Sequence, residues 1–211
     1  LVEIPAAADG ALATTVLADT DLASNLAHYR VVRVPPPPLF QYGFEEGPGG
    51  WSVAAEGIET TTSWEIGAPA DPPGPVAGTS VAGTDLDSNF VDGILSDAGV
   101  GITLRSPVID LAGLGRATLT FWHSLDLPNP QTAGGRLNFL RADDLSLIID
   151  RGQEEYTFAE PTDGWQQARV RLPPEVLGAG QVIIEWEFLS APDENPDDNG
   201  AGWFIDEVTV D

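Results

Sequence analysis

The chain has 211 residues, of which 33 are aspartate or glutamate and only nine are basic, so its formal net charge at pH 7 is −24. Such a surface repels nucleic-acid phosphates and anionic lipids, which excludes nucleic acid as a partner. No apolar run approaches the ~18 residues of a membrane-spanning helix, so we expect no membrane insertion. Cysteine is absent, and the fold therefore has no disulfide framework.

Residues 1–34 are predicted to be a separate N-terminal extended arm or the tail of a preceding β-repeat. Residues 28–34 alternate in polarity and are rich in β-forming side chains, which predicts a strand. The mixed spacing of apolar residues in 11–27 leaves helix and strand both open. The arm could fold on its own chain or on a neighbouring molecule, because an exposed strand at 29–34 is suited to β-augmentation.

Four consecutive prolines at 35–38 follow this arm. A run of prolines adopts the polyproline II conformation and behaves as a stiff spacer. We therefore predict a linker at 35–38 and a main domain at 39–211.

The main domain consists of short extended segments separated by Gly, Pro, Asn and Asp, with no convincing amphipathic helix. Many short strands at this spacing are typical of an antiparallel β-sandwich or barrel. The predicted segments are 60–66, 101–104, 118–124, 136–141, 146–150, 165–172, 181–189 and 203–210.

The segment 181–189 shows the clearest alternation. Apolar residues at every second position from Val182 to Phe188 predict a core-facing side. Glu185 and Glu187 fall on the other side, where we expect them to face solvent and to pair with arginines.

The last segment carries an acidic residue among apolar ones. Strict alternation predicts that Asp206 shares a face with Phe204, Val208 and Val210. A carboxylate in apolar surroundings is costly unless it is paired, hydrogen-bonded or bound to a metal ion.

The order of short motifs along residues 41–211 resembles one family of domains. The motifs lie at 44–47, 50–51, 64–67, 82–90, 104–111, 117–123, 164–165, 183–190 and 202–208. In number, order and spacing they resemble the MAM-like or cleaved-adhesin (choice-of-anchor) jelly-roll domains of secreted bacterial proteins, including those of immune-inhibitor-A-type metalloproteases. The resemblance implies an all-β fold, an antiparallel jelly-roll β-sandwich.

The same resemblance implies a structural calcium ion where the first strand, an early loop and the last strand meet. Matched position by position, the ligands would be Glu45 or Glu46, Asp85 with Asp87, and Asp206. Carboxylates suit calcium, which takes 6–8 oxygen ligands. The alternative is that Glu45 and Asp206 hydrogen-bond the ends of strands.

The sequence offers little for catalysis, so we predict that the domain is not an enzyme. Only two histidines are present. His28 lies in the arm, and His123 follows two aromatic residues on a predicted strand, as packed histidines do. No histidine pair has zinc-ligand spacing, and no glycine-rich phosphate loop occurs.

Six tryptophans are many for this length, and most should lie in the core. An exposed indole ring beside carboxylates and amides can stack on a sugar ring. The candidate platforms are Trp122 and Trp165, with Asp126, Asn129 and Gln166 as polar neighbours.

The predicted function is a non-catalytic, calcium-stabilised extracellular or cell-surface module for carbohydrate binding or adhesion. Its partner would be a carbohydrate or a cell-surface protein. Two alternatives stay open: a structural subunit of an extracellular filament or surface layer assembled through the arm, and an accessory domain of a secreted protease or glycosidase.

Overall fold

A computed structural model describes residues 14–21, 26–33, 36–55, 57–58, 60–70, 73–91, 93–96, 99–150, 153, 156–191 and 200–211, with side chains from residue 36 onward. The chain divides into two compact units, Leu1–Pro38 and Leu39–Asp211. Among the described residues, no helix is both long enough and apolar enough to cross a membrane.

The first unit contains a two-stranded antiparallel hairpin. Strand β1 (Thr14–Asp21) pairs along its whole length with β2 (Leu26–Arg33). Residues 14–21 of the segment that the sequence left open thus form a strand, and residues 28–33 of the predicted strand at 28–34 pair with it. The arm is a hairpin rather than a single extended segment, because cross-strand hydrogen bonds satisfy backbone groups that an isolated strand leaves to water. Residues 1–13 and 34–35 lie outside the described part.

The second unit is built from two six-stranded antiparallel sheets. Sheet I contains β3 (Phe40–Tyr42), β5 (Trp64–Gly67), β6 (Val81–Thr84), β9 (Thr118–Asp126), β12 (Gln166–Arg171) and β14 (Gly202–Val210). Sheet II contains β4 (Ser52–Ala54), β7 (Ile102–Arg105), β8 (Ile109–Asp110), β10 (Ala133–Arg141), β11 (Thr157–Phe158) and β13 (Gln181–Ser190).

The strand order in sheet I is β12-β9-β14-β6-β5, with β3 also paired to β14. In sheet II the order is β11-β10-β13-β7-β4, with β8 also paired to β13. The predicted antiparallel jelly-roll β-sandwich is confirmed. The prediction of a strand at 146–150 is wrong, since the pairing of this segment is limited to an isolated bridge between Leu147 and Leu140. The short helix α1 (Pro174–Ala179) was not predicted.

The core lies between the two sheets. Phe121 of sheet I packs edge-on against Trp186 of sheet II, with ring centroids 5.5 Å apart. The predicted core-facing side of β13 is confirmed, because Val182, Ile184, Trp186 and Phe188 are fully buried. Gly135 has no space for a side chain, since a Cβ atom there would overlap the Trp203 ring.

A β-bulge interrupts the last strand and overturns the predicted face of Asp206. The pairing of β14 with β9 shifts between Asp206 and Thr209, and Glu207 has a positive φ of 49°. The extra residue reverses the alternation, so Val208 and Val210 join the core, whereas Phe204 and Asp206 lie on the outer face of sheet I.

The burial of the side chains on the outer side of β13 also differs from the prediction. Glu185 and Glu187 are fully buried rather than solvent-facing. Asn138 on β10 donates from Nδ2 to both carboxylates, at 2.9 and 2.8 Å. The predicted arginine partner is correct for Glu185, which pairs with Arg105 at 2.7 Å. These partners offset the desolvation of the two charges, which alternation alone could not reveal.

Candidate functional site

A proline- and glycine-rich loop segment, residues 73–80, crosses the outer face of sheet I; we call it the strap. Its first part is held by Trp165, which precedes β12. The indole N–H of Trp165 donates to the carbonyl oxygens of Pro73 and Gly74, at 3.3 and 2.7 Å. The Trp165 ring is half-buried against the small apolar cluster that includes Phe204.

The middle of the strap is held by Asp206. Its Oδ2 accepts the backbone N–H groups of Val76 and Ala77, at 2.9 and 3.3 Å, and its Oδ1 accepts the N–H of Glu207 at 2.8 Å. Burial raises the pKa of Asp206, although the three N–H donors act in the opposite direction. The sequence thus correctly identified an acidic residue that needs partners, and those partners are backbone N–H groups.

The last part of the strap is held by Glu45, which lies between β3 and β4. Its Oε1 accepts the N–H groups of Thr79 and Ser80, both at 2.9 Å, and its Oε2 accepts the Thr79 hydroxyl at 3.1 Å. These hydrogen bonds lower the pKa of Glu45. A Cβ atom at Gly78 would collide with the Glu45 carboxylate, so this contact requires glycine.

The other predicted calcium ligands lie elsewhere. Asp85 follows β6 with a φ of 55°, and its Oδ1 accepts the N–H of Ser63 at 3.2 Å. Burial raises the pKa of Asp85. Asp87 is exposed in the following turn, and Glu46 is exposed beside Tyr42.

The residues named as calcium ligands do not form one cluster in the described part of the chain. Among all the residues that the structure describes, no group of three or more acidic or histidine side chains is arranged to hold a metal ion. The carboxylates of Glu45 and Asp206 receive N–H donors from one loop, whereas calcium requires a shell of 6–8 oxygen atoms. Calcium binding by the whole chain stays a prediction.

The predicted distribution of the tryptophans is confirmed. Four of the six are buried: Trp51, Trp64, Trp186 and Trp203. Trp122 and Trp165, the two candidate platforms, are half-buried. Since the indole N–H of Trp165 holds the strap, we take Trp122 as the candidate platform.

Trp122 lies in a row of side chains that runs across the outer face of sheet I. It pairs with Gln167 of β12 on one side and with Asp206 of β14 on the other. Directly opposed residues of antiparallel strands share a face, so the Gln167 amide lies beside the Trp122 ring. The sequence pointed to Gln166 and not to Gln167, although the inward residues Ala168 and Val170 give the alternation of this strand.

The remaining predicted ligand residues are dispersed. Asp126 ends β9 and accepts the N–H of Ala201 at 2.9 Å. Asn129 supports its own turn by accepting the N–H of Gln131 at 3.2 Å. Gln166 is exposed at the start of β12, opposite His123.

His123 is placed as a core residue. Its ring packs against Phe121, Phe158 and Trp203, with centroids 5.8, 5.2 and 6.4 Å away. Burial lowers the pKa of His123 to about 4. Its Nδ1 has no hydrogen-bond partner among the described residues.

The two sheets and the strapped outer face define a jelly-roll β-sandwich module. No protein-family model matches the chain, and no curated protein does. Among solved structures, the K3 cleaved adhesin domain of Lys-gingipain from Porphyromonas gingivalis is 18% identical, with a TM-score of 0.49 over 82% of this chain and 99% of that one.

Two carbohydrate-binding domains have similar folds. The CBM22-1 xylan-binding domain of Paenibacillus barcinonensis Xyn10C is 12% identical, with a TM-score of 0.45 over 82% of this chain and 93% of that one. CBM27-1 of Caldicellulosiruptor saccharolyticus, solved with mannohexaose, is 10% identical, with a TM-score of 0.45 over 83% and 97%. At these identities the likeness is one of fold.

Proposed function

We propose that the second unit is a non-catalytic extracellular module that binds carbohydrate on the outer face of sheet I. The observation that carries this proposal is the position of Trp122, a partly accessible indole ring in a row with the exposed amide of Gln167. The C–H face of a sugar ring packs on an aromatic ring, and an amide donates to and accepts from sugar hydroxyls.

The strap supports this role by making the face rigid. Asp206, the other neighbour of Trp122, is fixed by two strap N–H groups, so the row does not depend on a mobile loop. A pre-organised surface loses less conformational freedom when it binds, which favours affinity. His123, lying in the core with a lowered pKa, is unsuited to act as a general base, which supports a binding role rather than a catalytic one.

The test is binding of the wild-type chain and of Trp122→Ala to a panel of insoluble and soluble polysaccharides. We expect Trp122→Ala to lose at least tenfold in affinity for any polysaccharide that the wild type binds. Val53→Ala is the matched control, because Val53 is an exposed apolar residue on the edge of sheet II. Unchanged binding by Trp122→Ala, with both variants folded, would refute the assignment of this face.

The biological setting stays a prediction. The cleaved-adhesin resemblance of the sequence favours a secreted or cell-surface protein, and a metalloprotease of the immune-inhibitor-A type is one predicted parent. A cell-surface protein is the alternative partner. Self-assembly through residues 29–34 is tested by the solution mass of the chain; β1 already occupies one edge of β2.

A further inference from the structure

The outer face of β12 carries a short basic stripe in a strongly acidic chain. Gln167, Arg169 and Arg171 occupy every second position of this strand, and all three are exposed. Strand β12 is the edge strand of sheet I, paired only with β9 among the described strands. The stripe therefore presents its side chains on one open surface.

The two arginines are not used to hold the fold together. Within the described part of the chain, the only ion pair joins Arg105 and Glu185 on sheet II. Arg169 lies opposite Thr120, and Arg171 lies opposite Thr118, so each has a neutral neighbour on β9. The chain has 33 acidic residues for its nine arginines, so two neighbouring arginines without an ion-pair partner among the described residues are a distinct feature of its surface.

The stripe continues the row that contains Trp122. Three outward residues of β9, Trp122, Thr120 and Thr118, lie opposite Gln167, Arg169 and Arg171 in that order. At ~3.4 Å per residue, the four-residue step from Gln167 to Arg171 covers ~14 Å. A ligand that stacks on Trp122 and follows the strand therefore meets both guanidinium groups.

We propose that this face binds an acidic polysaccharide, one whose sugar rings carry carboxylate groups. The inference rests on the proposed function and names the class of ligand. Trp122 would hold one ring by stacking, and Arg169 and Arg171 would bind carboxylates of the following rings. Arginine is suited to this role because its planar guanidinium forms two parallel hydrogen bonds with a carboxylate.

The net charge of the chain sets the conditions under which this binding is measurable. Distant carboxylates repel a polyanion, and this repulsion is screened beyond ~8 Å at 0.15 M ionic strength. Direct contacts between guanidinium and carboxylate groups are screened less. We therefore expect affinity for the acidic polysaccharide to rise from very low salt to about 0.15 M, and to fall at higher salt.

The experiment compares polygalacturonate with its fully methyl-esterified form, which keeps the sugar chain and removes the charge. We expect the wild type to bind polygalacturonate at least tenfold more tightly than the ester. The double variant Arg169→Gln/Arg171→Gln should lose that preference. Arg116→Gln/Arg141→Gln, with both arginines exposed outside the stripe, is the matched control and should keep it.

The outcomes separate the two proposals. Equal binding of both polymers that is still lost in Trp122→Ala overturns the acidic ligand and leaves carbohydrate binding intact. Binding of neither polymer, with binding of neutral polysaccharides retained, has the same meaning. Loss of polygalacturonate binding on chelation would show a bridging cation and would overturn direct contact with the arginines. Absence of binding to every polysaccharide would overturn both proposals.

Discussion

The strap makes one residue, Asp206, unusually sensitive to substitution. Asp206→Ala removes the acceptor of the Val76 and Ala77 N–H groups, which span the middle of the strap. The side chain is fully buried, so no water replaces the lost carboxylate without a rearrangement of the loop. We expect the substitution to release the middle of the strap from sheet I.

The size of the effect follows from the hydrogen bonds. A hydrogen bond to a charged group contributes about 1.5–3 kcal/mol, and a donor left without a partner in a buried site costs a similar amount. Val76 is partly exposed, so water can satisfy one donor once the strap moves. We therefore expect Asp206→Ala to lower the free energy of unfolding by about 3 kcal/mol, which corresponds to about 6–12 °C in Tm for a domain of this size.

The assay is urea unfolding followed by tryptophan fluorescence. Asp206→Asn is the matched variant: its carbonyl oxygen can still accept the strap N–H groups, and it avoids the buried charge, so we expect a smaller loss. Glu45→Ala, at the exposed end of the strap, should also lose less. If Asp206→Ala unfolds within about 0.5 kcal/mol of the wild type, the strap is not anchored by this carboxylate.

Three further predictions concern the core, the buried network and calcium. Because burial lowers the pKa of His123 from 6.5 to about 4, the stability that the neutral ring contributes is complete above pH 6.5 and falls by about 3 kcal/mol as pH drops from 6.5 to 4. His123→Phe should remove this part of the acid loss, and an unchanged pH profile would contradict it. Asn138→Leu should cost about 3–5 kcal/mol in urea unfolding, because it leaves Glu185 and Glu187 facing each other without the shared amide. Thr103→Val is its control, and it should be neutral or stabilising by up to about 1 kcal/mol, because the buried Thr103 hydroxyl has no partner among the described residues. If the predicted calcium ion is bound, a chelator should lower the Tm, and an unchanged Tm would contradict the prediction.

Local alternation was sufficient to predict most of the sandwich. The alternate apolar residues of β13, Val182, Ile184, Trp186 and Phe188, are buried as expected, because a strand with one strongly apolar side has only one stable orientation toward a core. The same pattern failed at the bulge in β14. One extra residue at Glu207 reverses every later side chain, and a bulge is set by the pairing with β9.

In the candidate site, too, the sequence predicted some features and the tertiary structure decided the others. The sequence by itself identified Asp206, Glu45 and the two accessible tryptophans, because a carboxylate in an apolar strand and a surplus of indole rings are visible in composition and spacing. It could not identify the partners. Val76 of the strap lies 130 residues before Asp206 in the chain. The row from Gln167 to Trp122 joins β12 to β9, and strands β10 and β11 lie between these two in the sequence.

Composition and alternation therefore determined the class of fold, the core and the residues that need partners, since these follow from the burial of each side chain and from its own chemistry. Only the tertiary structure decided which groups those residues meet: backbone N–H groups for Glu45 and Asp206, Asn138 for the buried glutamates, and Gln167 for Trp122. The physical reason is that register and loop placement depend on contacts between distant parts of the chain, which local periodicity does not contain.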